Sequence, residues 1–172
     1  MAATYTLISS NVLSGSAASV TFSAIPQTYT DLVLRYSGRT AAGSGTAYSV
    51  EVTLNGATSN YSYIALFNSS ATTVTSWNGA NQSYINALFS INTPSNTANT
   101  FSNAEIYIPS YTSSSNRQIA IDSAVEDNSA DVARAVVSSL SRNATAVTSI
   151  TLTPPANFAA GSSFYLYGIS NS

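Results

Sequence analysis

Near its C-terminal end the chain alternates polar and apolar residues so regularly that few folds can accommodate it. Residues Thr148 to Thr153 read TSITLT, with Ile150 and Leu152 on one face and Ser149, Thr151 and Thr153 on the other. That period of two belongs to a half-buried strand and fits no helix face. Pro154-Pro155 ends the run, because proline offers no ladder donor. After PPANFAAGSS comes a second arm, FYLYGI, with Phe164 and Leu166 on one side and Tyr165, Tyr167 and Ile169 on the other. The two arms read as a final hairpin. The second is apolar on both faces, and such a strand is covered on both, by its own domain or by another copy of the chain.

The same alternation recurs upstream. Strands are expected at Thr4 to Ile8 and Ala18 to Phe22, around a Ser14-Gly15-Ser16 turn. Others are expected at Asp31 to Thr40, Tyr48 to Leu54, Val74 to Trp77, Phe101 to Ile108, Arg117 to Glu126 and Val132 to Leu140. The first ~25 residues read either as two edge strands or as an arm that reaches a neighbour. Asn60 to Asn68 and Ser83 to Ile91 fit a strand or a short helix equally. Val132, Val136 and Leu140 also have helical spacing, but β-branched residues suit a pleat better. Asn55-Gly56 and Asn78-Gly79 are turn dipeptides. The expectation is one all-β domain over residues 1–172, a β-sandwich or jelly roll of about eight to ten mostly antiparallel strands.

Composition agrees with that class and narrows the chemistry. Only 7% of residues are charged, and Ser, Thr and Asn take their place in solubilising the surface. Hydroxyls compete for backbone groups inside helices but sit comfortably on exposed strand faces and in turns. Disorder is excluded by 11 Tyr, 6 Phe and regular Val/Ile/Leu runs. A net charge of -2 argues against a nucleic-acid partner, which needs a basic face. No apolar run approaches the ~20 residues of a membrane-spanning helix. The start Met1-Ala2-Ala3-Thr4 has neither the basic nor the apolar region of a signal peptide, so synthesis in a cytoplasm is expected.

The chain contains no histidine, cysteine or lysine. Ser–His triads, thiol nucleophiles, Schiff bases and ordinary zinc sites are therefore excluded. A glycosidase needs only two carboxylates, and Glu105, Asp122 and Glu126 fall on neighbouring expected strands. The simpler reading of these three is solvent-facing strand residues. Glu126 to Asp131 offers oxygen atoms but not the spacing of a calcium loop, so no metal or other cofactor is expected. Trp77, with Tyr84 nearby, suggests a sugar-stacking platform, although a lone tryptophan is more ordinarily a core residue. No enzymatic activity is expected.

Several stretches resemble small tailed-phage virion proteins. They are Ile25-Pro26 with Tyr29 to Leu34, Asn60 to Tyr63, Ala104 to Tyr111, and the ending Ser149 to Thr153, Asn157-Phe158 and Gly161 to Ile169. The likeness runs over roughly residues 4–169. Pro154-Pro155 departs from the single proline and small residue of the pattern, which touches only a loop. Some such proteins are capsid decoration (cement) proteins with a jelly-roll fold that trimerise on the head, and others are tail or fibre components. The sequence has no coiled-coil or collagen-like stretch of the kind a fibre stalk uses, which favours a head protein. The resemblance implies a homotrimer on the capsid surface of a virion, bound to the major capsid protein, with no catalytic residues. Tyr165, Tyr167 and Ile169, or Tyr5 and Leu7, are the expected contacts with a neighbouring copy or the capsid. The alternative is a tail or fibre tip that touches a host receptor or glycan through Trp77 and Tyr84.

Overall fold

The computed structural model describes residues 4–45, 48–68, 73–125 and 133–170. Within them there is no helix, and twelve strands form two sheets, somewhat more strands than the alternation suggested. They are β1 (Tyr5–Val12), β2 (Val20–Phe22), β3 (Asp31–Gly38), β4 (Tyr48–Leu54), β5 (Tyr61–Asn68) and β6 (Val74–Gln82), followed by β7 (Ile85–Ile91), β8 (Ser102–Ile108), β9 (Arg117–Val125), β10 (Ala133–Ser141), β11 (Ile150–Thr153) and β12 (Ser163–Ile169). Eight make one antiparallel sheet in the order β1-β12-β3-β8-β9-β10-β5-β6. The other four form a second sheet in the order β2-β11-β4-β7. The architecture is a β-sandwich. Jelly-roll winding, which needs two Greek keys, is a narrower property than these strand orders establish.

Both ambiguous segments are strands, β5 and β7, because each has a sheet neighbour to complete it. β7 packs on β5, β8, β9 and β10 and joins the two layers. Its register slips between Tyr48 and Val50 of β4, a bulge in which Phe89 takes a φ of 43°. Ser90 steadies the bulge, with Oγ accepting from Val50 N at 3.3 Å and donating to Ala87 O at 2.6 Å. Bulges of this kind bend a strand where a sheet must fold over its partner.

The core follows from strand parity. Leu32, Leu34 and Tyr36 of β3, Ile106 and Ile108 of β8, Ile119 and Ile121 of β9, and Phe164 and Leu166 of β12 all point inward and are buried. Val50, Val52 and Leu54 of β4 and Ile150 and Leu152 of β11 meet them from the other sheet. Tyr36 stacks on Phe164 at 5.7 Å, and Phe158 meets Phe164 edge-on at 4.8 Å.

The last two strands are not a hairpin. β11 lies between β2 and β4 in the four-stranded sheet, while β12 lies between β1 and β3 in the eight-stranded one. The intervening segment crosses from layer to layer. It is tethered by Phe158, fully buried and bridged to both Ala17 and Thr40. Sequence alternation gave each arm its face but not its partner. Residues 4–25 supply the outer strand of each sheet, β1 and β2, which is the edge-strand reading of that segment.

Asn78-Gly79 is not a turn either. Both residues lie inside β6, opposite Ile64 and Tyr63, and the Tyr63 ring occupies the space a Cβ at Gly79 would need. Asn55-Gly56 does turn, with φ values of 53° and 67° and Ala57 N donating to Leu54 O at 3.0 Å.

Candidate contact surface

The inner face of the eight-stranded sheet is covered by the smaller sheet; much of its outer face is open, with Ile64, Leu66 and Val136 more than half exposed. Strand register places the outward side chains in rows. One row runs Leu7, Tyr167, Val33, Tyr107 across β1, β12, β3 and β8. The next runs Tyr165, Arg35, Glu105, Asp122, Val136, Leu66, from β12 to β5.

At the β1 end the surface is aromatic. Tyr5 and Leu7 are each 50% exposed, and Tyr5 meets Tyr167 edge-on at 6.4 Å. Tyr165 and Tyr167 are half-buried, supported sideways by their neighbours. Val33, between Tyr167 and Tyr107 in register, is buried although it faces outward. Ile169 shares the outer face but is only 9% exposed, flanked in register by Tyr5 and Asp31. Asp31 accepts from Tyr107 Oη at 2.8 Å and from Ser110 N at 2.8 Å. The first of these bonds raises the Tyr107 pKa above its ordinary value. Tyr5, Leu7, Tyr165 and Tyr167 thus form one patch, with Ile169 as its mostly covered floor.

At the β6 end a second apolar patch escaped the sequence reading. Ile64, Leu66 and Val136 are more than half exposed, as is Val74 on the edge strand. Parity contained the signal. Along β10 the alternate residues Arg134, Val136, Ser138 and Leu140 share the outward face, while Ala135 and Val137 fill the core.

Between the patches lies a charged ladder. Arg35 Nε donates to Glu105 Oε2 at 2.6 Å, and Arg134 donates to Asp122 Oδ2 at 2.6 Å. Glu105 and Asp122 are direct cross-strand neighbours, a like-charge pairing that costs stability unless it is flanked. The two arginines flank it, and the hydrogen bond to its carboxylate raises each arginine's pKa. Four of the nine charged side chains among the described residues gather here, around a shallow groove of about 620 Å³. A glycosidase pair instead sets one carboxyl in an apolar pocket that keeps its proton. Here both carboxylates are exposed and committed to guanidinium partners. Glu126 and the Glu126 to Asp131 stretch lie outside the described residues.

Trp77 is not a core residue. It sits on β6, at the sheet edge, 48% exposed, with one side of its ring held edge-on by Phe67 at 4.6 Å. Phe89 continues the cluster, 5.0 Å from Phe67. Tyr84 is half-buried beyond the end of β6. Desolvation, followed by the nearby Glu51 and Tyr63, raises its pKa. Tyr63 pairs with Gly79, at a position between Trp77 and Tyr84 along the chain. None of the ring pairs among the described residues joins Trp77 to Tyr84.

No family model, no curated protein and no solved structure matches the chain. Among the described residues there is no group of three or more metal-ligating side chains, and no helix is long and apolar enough to cross a membrane.

Proposed function

We propose that this protein is a structural component of a phage virion, a capsid decoration protein. In this reading it assembles as a homotrimer and holds neighbouring copies of the major capsid protein through the outer face of its eight-stranded sheet. The observation that carries the reading is the pair of exposed apolar patches at the two ends of that face. Exposed apolar surface of this kind marks protein contact sites more often than catalytic ones. Tyrosine contributes large contact area with little rotamer entropy to lose. The charges on this face are gathered into two ion pairs, Arg35–Glu105 and Arg134–Asp122, so an interface that covers them takes up groups already paired. A clamp of this kind gains strength from many modest contacts made at once, rather than from one deep site. The likeness of the sequence to small virion proteins points the same way, and the function needs no catalytic group.

A second reading is favoured by one observation, the exposure of Trp77. An indole open on one side and braced by Phe67 on the other suits stacking on a pyranose ring, the role of a tail tip that touches a host glycan. Co-sedimentation separates the two. The purified protein is mixed with expanded, undecorated phage heads and, separately, with host cells. Saturable binding to heads without binding to cells is the expected result. Binding to cells alone would overturn the decoration role and make Trp77→Ala the next variant.

A further inference from the structure

The outer strands of the two sheets are not alike. β2 is only three residues long, and β7, at the other end of the small sheet, packs against β5, β8, β9 and β10 of the large one. The ends of the eight-stranded sheet are long and open. β1 has eight residues and β6 nine, exposed at all but Ile8 in the first and Gly79 and Gln82 in the second. Among the described residues β1 pairs with β12 alone and β6 with β5 alone. Each therefore turns a row of backbone N–H and C=O groups away from its one neighbour.

Edges of this length are ordinarily guarded by charge, by proline or by a covering loop. Neither YTLISSNV nor VTSWNGANQ contains a charged residue or a proline, although β3, β8, β9 and β10 between them all carry charge. Each edge has a bulge, between Leu7 and Ser9 in β1 and after Gly79 in β6, which leaves residues 74–79 in unbroken register with β5. The side chains at both edges are apolar. Tyr5, Leu7 and Val12 stand exposed on β1, and Val74 and Trp77 on β6, with Ile64 and Leu66 one strand further in.

Topology says what fits these edges. Every pairing in the large sheet is antiparallel, so its eight strands alternate in direction and β1 and β6 run opposite ways. A second copy laid alongside with the same face outward brings its β1 antiparallel to β6, and the alternation continues across the joint. Two-fold pairing of β6 with β6 would leave β1 bare, and a foreign strand on either edge would leave the other bare. One head-to-tail contact between copies covers both.

We propose that copies of this chain join head to tail, β6 of one against β1 of the next, so that each extends the other's eight-stranded sheet. Closure at three copies rests on the trimer of the proposed function; the β6–β1 pairing does not. The contact satisfies both rows of edge backbone groups. It also sets the two apolar patches, which lie at opposite ends of one molecule, side by side across each joint.

The test is sedimentation equilibrium on the full chain in two blocked forms. Val74→Lys with Ser76→Lys places guarding charges on β6, and Leu7→Lys with Ser10→Lys places them on β1. All four side chains are exposed, and circular dichroism first establishes that each variant is folded. Each variant alone is expected to have the mass of one chain, 17.8 kDa. Their equimolar mixture is expected to give a two-chain species, joined through the intact β1 of the first and the intact β6 of the second. Total protein of about 1 mM is used, because a single joint lacks the avidity of a closed ring. Dimers of the β1-blocked variant by itself would show two-fold β6 pairing and overturn the proposal. So would a variant that keeps an oligomeric wild-type mass, or a mixture that stays monomeric. A two-chain mixture beside a wild type that is not a trimer would uphold the pairing and remove the trimer. Should a double variant not fold, Ser76→Lys or Ser10→Lys alone takes its place.

Discussion

Asn55 shows how much one side chain can organise in a chain this short of charge. Its Oδ1 accepts from Thr148 N at 2.8 Å, Ser149 N at 3.1 Å and Thr148 Oγ1 at 3.2 Å. Its Nδ2 donates to Ala146 O at 2.7 Å and Thr145 Oγ1 at 3.3 Å. With a φ of 53° it also occupies backbone space that alanine enters only with strain. The turn after β4 and the approach to β11 are therefore held by one amide. Asn55→Ala is expected to lose about 2–3 kcal/mol and Asn55→Gly about 1–2 kcal/mol, since glycine escapes the backbone term. Urea unfolding of the two variants measures both. Equal losses would show that the left-handed backbone contributes nothing there. The dipeptide Asn55-Gly56 announced this turn in the sequence, but the five bonds came from residues about ninety positions away and left no local trace.

Among the elements, what the sequence made legible was face and what it hid was partner. Alternation in β11 and β12 separated the two faces correctly, because a period of two is a property of each strand alone. Pairing depends on which strands meet in space. Hence the last two arms looked like a hairpin and proved to belong to different sheets, with Phe158 fixing the crossing between them. Asn78-Gly79 misled for a related reason. Its turn chemistry is genuine, but Tyr63 packs over Gly79 and the strand runs straight through. β5 and β7 were undecidable locally, since a short apolar run becomes a strand only when a ladder takes it up. Of the candidate contact surface, Tyr165 and Tyr167 were legible as apolar side chains on a second face, and Tyr5 and Leu7 only through the resemblance to virion proteins. Ile64, Leu66 and Val136 were not, because outward apolar residues look the same as core in a single strand.

At the scale of the whole molecule, stability depends on buried phenols keeping their protons. Tyr36 and Tyr61 are buried, and Tyr111 is 0% exposed with its hydroxyl donating to Pro26 O; desolvation is the main cause raising the pKa of each above the ordinary 10.0. Raised values mean that the folded state keeps these protons after the unfolded chain has released its own. The folded state then binds more protons, so stability falls as pH rises. Unfolding free energy is expected to decline once pH passes 10.0, towards the raised folded-state values, and to decline less steeply in Tyr36→Phe. Urea titrations at stepped alkaline pH measure the slope; an unchanged slope in that variant would remove Tyr36 from the account.

The same core leaves the outer face of the larger sheet free to work by contact, and that is the central claim. Sedimentation equilibrium tests it most directly, on the wild-type chain and on a Tyr165→Glu, Tyr167→Glu variant. Two carboxylates on that face would have to be desolvated in any interface built there. The account predicts a wild-type mass three times the 17.8 kDa of one chain and a variant that is folded and monomeric. A wild-type monomer, or a variant that keeps the trimer mass, would contradict it.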